Sequence, residues 1–80
     1  MKKENNVPLI YLKEGEEGVI AFIAAGFMAT QRLADLGLTP GTKIKIVKSA
    51  LYGPIEISVR GSKLALGRGI AMKVLVTVNR

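Results

Sequence analysis

The strongest oxygen ligands and acid–base groups in this 80-residue chain are six acidic side chains, because it contains neither histidine nor cysteine. That excludes disulfides, thiolate-ligated zinc and iron–sulfur centres, and it removes the commonest general base and the most reactive nucleophile. Glu14, Glu16 and Glu17 form the one carboxylate cluster. Oxygen ligands of this type could hold a hard cation loosely, but the stretch Glu14-Gly15-Glu16-Glu17-Gly18 reads as a solvated turn, and no metal site is assigned. Ser49, Ser58 and Ser62 have no base beside them in a local motif. Catalytic residues and cofactors are therefore assigned to none, and the chain is read as a protein that is not an enzyme.

Glycines, a lysine and an arginine at 61–69 resemble a phosphate cradle only superficially. A Walker A loop requires Gly, four residues, then Gly-Lys-Ser/Thr between a strand and a helix. Here five residues separate Gly61 from Gly67, and Arg68-Gly69 follows. The segment is read as a bend. Twelve basic against six acidic residues give a net charge of +6, which favours anionic partners at long range. Lys43, Lys45 and Lys48 fall on the polar side of an alternating strand, with Arg60 and Lys63 around a later turn. Outward lysine is also a usual guard against edge pairing, and nucleic-acid barrels add exposed aromatics for stacking. With only Tyr11, Phe22, Phe27 and Tyr52 available, and Phe22 expected to be buried, no nucleic acid is expected.

A protein-contact surface fits the composition better. Phe27, Met28, Arg32 and Leu38 supply more apolar surface than one short buried stripe needs, and apolar side chains beside arginine are a common hot-spot composition. With Tyr52 and Pro54 they form the candidate partner surface: a helix, the turn after it and the Tyr52-Gly53-Pro54 loop.

The elements that must position these residues follow from periodicity. Residues 1–6 are expected to be a flexible tail, and 7–80 a single domain. Residues 18–25 read as a strand with both faces apolar, buried at the centre of a closed sheet. The period then changes: Ala29, Leu33 and Leu36 fall at i, i+4 and i+7, opposite Gln31, Arg32 and Asp35, which predicts a helix over 27–36. Strict alternation over 42–48 and 55–60 predicts two strands with one buried face each, and 63–66 and 73–78 supply two more. Residues 67–71 interrupt them as a single helical turn. Five short strands with one inserted helix suit a small barrel.

Between helix and strand lies the segment with the most specific geometry. Gly37 follows the last apolar helical position, where a left-handed residue commonly closes the turn. Thr39-Pro40-Gly41-Thr42 reads as a type II turn, with Pro40 fixing φ and Gly41 taking the positive φ of the third position. The longest apolar run, 19–29, has eleven residues and includes a glycine, well short of the roughly 20 that span a bilayer. Met1-Lys2-Lys3 is not followed by a continuous apolar region with a cleavage site, so export is not expected.

From about Leu12 to Val78 the sequence resembles the FeoA family, small SH3-like barrel proteins associated with ferrous iron transport. The residues that carry the resemblance are Leu33 with Leu36-Gly37-Leu38-Thr39-Pro40-Gly41, Gly53-Pro54-Ile55, Gly61 with Leu64-Ala65-Leu66-Gly67-Arg68, and Ala71 with Val74 and Val76. Their order across a whole domain makes the match specific. The resemblance implies a mainly β SH3-like barrel acting as a cytoplasmic accessory protein that contacts FeoB, a membrane transporter with a GTP-binding domain, and reaches the inner face of the membrane through it. The domain itself is not expected to carry ferrous iron. Two other readings compete: a small basic nucleic-acid-binding barrel, and a stand-alone regulatory domain like the C-terminal domain of iron-dependent repressors.

Overall fold

The computed structural model describes residues 5–78. Among them six strands form one antiparallel sheet: β1 (Asn5–Pro8), β2 (Glu17–Ile23), β3 (Lys43–Ser49), β4 (Ile55–Val59), β5 (Ser62–Leu66) and β6 (Val74–Val78). A 3-10 turn, Leu9–Tyr11, follows β1. Helix α1 (Phe27–Asp35) is inserted between β2 and β3, and the single-turn helix α2 (Arg68–Ala71) between β5 and β6.

The order β1-β6-β2-β3-β4-β5 leaves β1 and β5 as edges. The expected small barrel, closed or partly open and of about five strands, is realised as a six-stranded sheet that wraps without closing, consistent with an SH3-like fold. The additional strand joins Asn5 and Asn6, from the expected tail, to Val7 and Pro8 of the expected domain. Asn5 and Asn6 pair with Val78 and Thr77, and Thr77 Oγ1 donates to Asn6 Oδ1 at 2.7 Å; residues 1–4 of that tail lie outside the described residues. Inward residues of β2 to β6 meet in one cluster, so the sheet wraps around its core. Ile44 and Ile46, Ile55 and Ile57, and Val74 and Val76 fill it, with Leu9, Leu12, Leu33, Leu38 and Ala71 covering the ends.

Two β-bulges change which side chains reach that core. Register shifts between Ile20 and Phe22 on β2. Strict alternation would place Phe22 beside Ile20, inside; the extra residue turns it out, and Phe22 is 49% exposed while Ile20 is buried. Val19 faces solvent as well, so β2 is not buried on both faces as its composition predicts. A second shift, between Ile46 and Lys48, keeps Lys48 out of the core by the same device.

Helix α1 ends in the expected left-handed closure. Gly37 has φ +93°, its N–H donates to Ala34 O at 2.9 Å, and the Leu38 N–H donates to Leu33 O at 2.8 Å. This pair of bonds is a Schellman motif, whose accompanying apolar contact joins the residue after the glycine to the third-last helical residue, here Leu38 and Leu33, both buried. Leu36, expected on the buried stripe, is half exposed instead, because the helix closes at that residue. The type II turn forms next: Thr42 N–H donates to Thr39 O at 3.1 Å and Gly41 has φ +93°. Gly41 N–H to Ile20 O (2.7 Å) and Ile20 N–H to Thr42 O (2.9 Å) tie this turn to β2.

Because L side chains rarely adopt such a φ, Gly41→Val is expected to lower stability by about 2 kcal/mol. A denaturation midpoint lowered at unchanged slope checks this. Normal melting with lost partner binding would instead make the turn a contact surface.

Candidate interaction surface

Helix α1 presents most of its length to solvent and is anchored from below. Leu33 is its buried residue, and Thr30 Oγ1 bonds back to Ala25 O at 3.3 Å. On the opposite side Phe27 is 81% and Met28 73% exposed. Arg32 stacks one turn above Met28, as i,i+4 residues do, and is exposed too. Phe27, Met28 and Arg32 are each exposed, with Met28 and Arg32 one turn apart on the same side of the helix.

The other three predicted residues are placed differently. Leu38 has no exposed surface, so its place in the candidate surface is corrected: it packs under the Schellman turn, inside the core. Tyr52, 83% exposed, and Pro54 lie in the loop after β3, whereas the turn at 37–42 precedes it. Seven residues of β3 hold the two apart by about 20 Å. Tyr52 and Pro54 thus lie at the opposite end of β3 from the helix-to-strand turn.

Other exposed apolar residues extend these surfaces beyond the sequence reading. Ala24 N–H donates to Lys73 O at 2.7 Å, which sets Met72 and Phe22, each about half exposed, at the end of the domain where α1 begins. Phe22 is missed because the bulge is invisible in the sequence. Leu51, 77% exposed, enlarges the Tyr52 loop, whose base is fastened by Arg68 Nη1 to Ala50 O at 2.9 Å.

The acidic cluster does not converge. Glu14 Oε2 accepts from the Ser49 N–H at 2.9 Å, Glu16 Oε1 from the Lys13 N–H at 2.8 Å, and Glu17 pairs with Lys43 Nζ at 3.3 Å. Each carboxylate has its own partner, and among the described residues no three acidic side chains group as a metal site. Titration with Fe²⁺ under anaerobic conditions is expected to give no tight stoichiometric binding. A saturable one-to-one isotherm at micromolar iron would contradict this arrangement.

An open, wrapped antiparallel sheet with a helix inserted between its second and third strands defines a small SH3-like domain. Over residues 7–78 the sequence matches the FeoA domain family, and the chain belongs to it. It is 46% identical over 69 residues to a candidate Fe(2+) transport protein A of Methanocaldococcus jannaschii, spanning 86% of this chain and 83% of that protein. The crystal structure of an iron uptake regulatory protein, also a FeoA, superposes with a TM-score of 0.86 at 41% identity, covering 91% of this chain and 97% of the other. IdeR of T. acidophilum is similar over 99% of this chain but only 37% of its own, with a TM-score of 0.82 at 26% identity. Among the described residues no helix is long and apolar enough to cross a membrane.

Proposed function

We propose that this chain is a non-enzymatic, cytoplasmic accessory protein of ferrous iron uptake that binds a FeoB-type membrane transporter bearing a GTP-binding domain. Membership of the FeoA family supports the pathway. The observation that carries the contact is the solvent-facing side of α1, where Phe27 and Met28 stand almost fully exposed beside Arg32. Large apolar side chains in water are unfavourable by an amount that burial in a partner recovers, about 1.5–3 kcal/mol each. Tyr52 and Pro54, with Leu51, add exposed apolar surface to the proposed contact.

The testing experiment is capture of the cognate transporter by the immobilised chain, with and without guanine nucleotide. Capture in both states supports an assembly role and nucleotide-dependent capture a regulatory one. No capture in either state contradicts the proposal.

The basic outer face of β3 to β5 favours one other reading, nucleic-acid binding, because Lys45 and Lys63 flank Ser58 across three paired strands. That face carries no aromatic residue for stacking. If nucleic acid were the ligand, affinity would fall steeply with salt but persist in the physiological range, since neutralising each phosphate releases a counterion; the expected result is no retention of single- or double-stranded DNA or RNA at physiological salt.

A further inference from the structure

An open cleft of about 500 Å³ lies beside the helix-to-strand turn, and its charged lining is Lys43, Lys45, Arg60 and Glu17. Thr42 and Ser58 add hydroxyls to the same wall. Three cations face one carboxylate, and that carboxylate is already paired with Lys43 at 3.3 Å. Among the described residues Lys45 and Arg60 have no ion-pair partner.

Arg60 is held in an unusual way. It occupies the first position of the two-residue β4–β5 hairpin turn, with φ +52° ahead of Gly61 at φ +82°. Asn or Gly usually fills this position, and a long side chain there carries backbone strain. The side chain folds back over the helix-to-strand turn: Cδ lies 3.9 Å from where a Cβ on Gly37 would stand, and Nη2 reaches toward Thr42 Oγ1 at 3.5 Å. Thr42 Oγ1 is in turn 3.0 Å from Thr39 Oγ1. A guanidinium has five N–H donors in a fixed fork, and this long contact engages one nitrogen. The remaining donors are available to the cleft, beside Lys45 and the Ser58 hydroxyl.

We infer that this cleft is a binding site for a phosphate dianion, either free or as a monoester. The surplus of positive charge matches a dianion better than the single charge of a phosphodiester, and a forked arginine with a lysine and hydroxyls is the donor set that planar or tetrahedral oxyanions select. No residue of α1 lines the cleft. Glu17 tempers it by drawing Lys43 aside.

The test is an amide NMR titration of the folded chain with inorganic phosphate, and in parallel with a nucleoside 5′-monophosphate, against sodium chloride at matched ionic strength. Saturable shifts are expected at residues 41–45 and 58–61. Arg60→Gly, which relieves rather than adds turn strain, is expected to weaken binding about tenfold, and Lys45→Gln severalfold. Lys63→Gln removes a charge from the neighbouring strand, across Ser58 from Lys45 and not itself in the cleft lining, and is expected to weaken binding by less than Lys45→Gln does. Glu17→Gln is expected to tighten binding about threefold, an effect no loss of structure imitates. Tighter binding of the nucleotide assigns the site to phosphorylated small molecules, and equal binding to free phosphate. Shifts that chloride reproduces, or an equal loss in Lys63→Gln and Arg60→Gly, overturn the inference.

Discussion

Leu38→Ala is expected to lower the unfolding free energy by about 2–5 kcal/mol, the usual range for truncating a fully buried leucine, while leaving affinity for a protein partner unchanged below the melting transition. Leu38 has no exposed surface, and its N–H completes the Schellman motif by bonding Leu33 O. Removing the side chain leaves a cavity beneath the turn and deprives Leu33 of its neighbour, a loss borne by the cooperative unfolding of the whole domain, while the folded state keeps α1 in place. For a domain of this size 1 kcal/mol moves the melting temperature by roughly 4–8 °C. A fall of well over 10 °C by calorimetry is the expected reading. A fall of a degree or two would place Leu38 outside the core.

Met28→Asp is expected to do the reverse. Met28 lies in the first turn of α1, 73% exposed and directed away from Leu33. Truncating or charging such a residue changes stability by no more than about 0.5 kcal/mol, and an aspartate in the first turn of a helix is favoured by the partial positive charge there. If Phe27, Met28 and Arg32 form the contact, burying a carboxylate at its centre removes at least about 2 kcal/mol of binding, a hot-spot loss, or roughly 30-fold in affinity. Unimpaired capture of the transporter by a normally folded Met28→Asp chain would move the contact elsewhere, first to the Leu51 and Tyr52 loop.

The parts of the fold that sequence reading recovers are those dictated by the local backbone. Gly37, Pro40 and Gly41 admit few conformations, so the helix closure and type II turn are visible residue by residue, and strict alternation identifies β3 and β4 with their inward isoleucines. What escapes depends on partners distant in the chain. A bulge is a relation between two strands, so nothing at residues 20–22 signals that Phe22 turns outward, and Asn5 and Asn6 become a strand only because β6, about seventy residues later, offers its edge. Leu38 is misread for another reason. It is counted among the apolar residues in excess of one short buried stripe, although the Schellman signature, in which the residue after the glycine packs against the third-last helical residue, marks it as buried. The exposure of Phe27, Met28 and Arg32 was legible because a short helix has only one inward stripe, and Leu33 occupies it. The cleft was not: Arg60 and the turn it covers lie far apart in sequence and meet only through the β4–β5 hairpin.

The central claim is that the outer face of α1 binds the transporter while the turn behind it only holds that face in place. The most direct measurement is the affinity of the purified FeoB-type transporter, in detergent, for the wild-type chain, the Met28→Asp, Arg32→Glu double variant and Leu38→Ala, all at a temperature where each is folded by circular dichroism. The predicted result is tight binding by wild type and Leu38→Ala alike, and loss of at least about 30-fold in the double variant. Equal affinity across all three, or loss confined to Leu38→Ala, would contradict it.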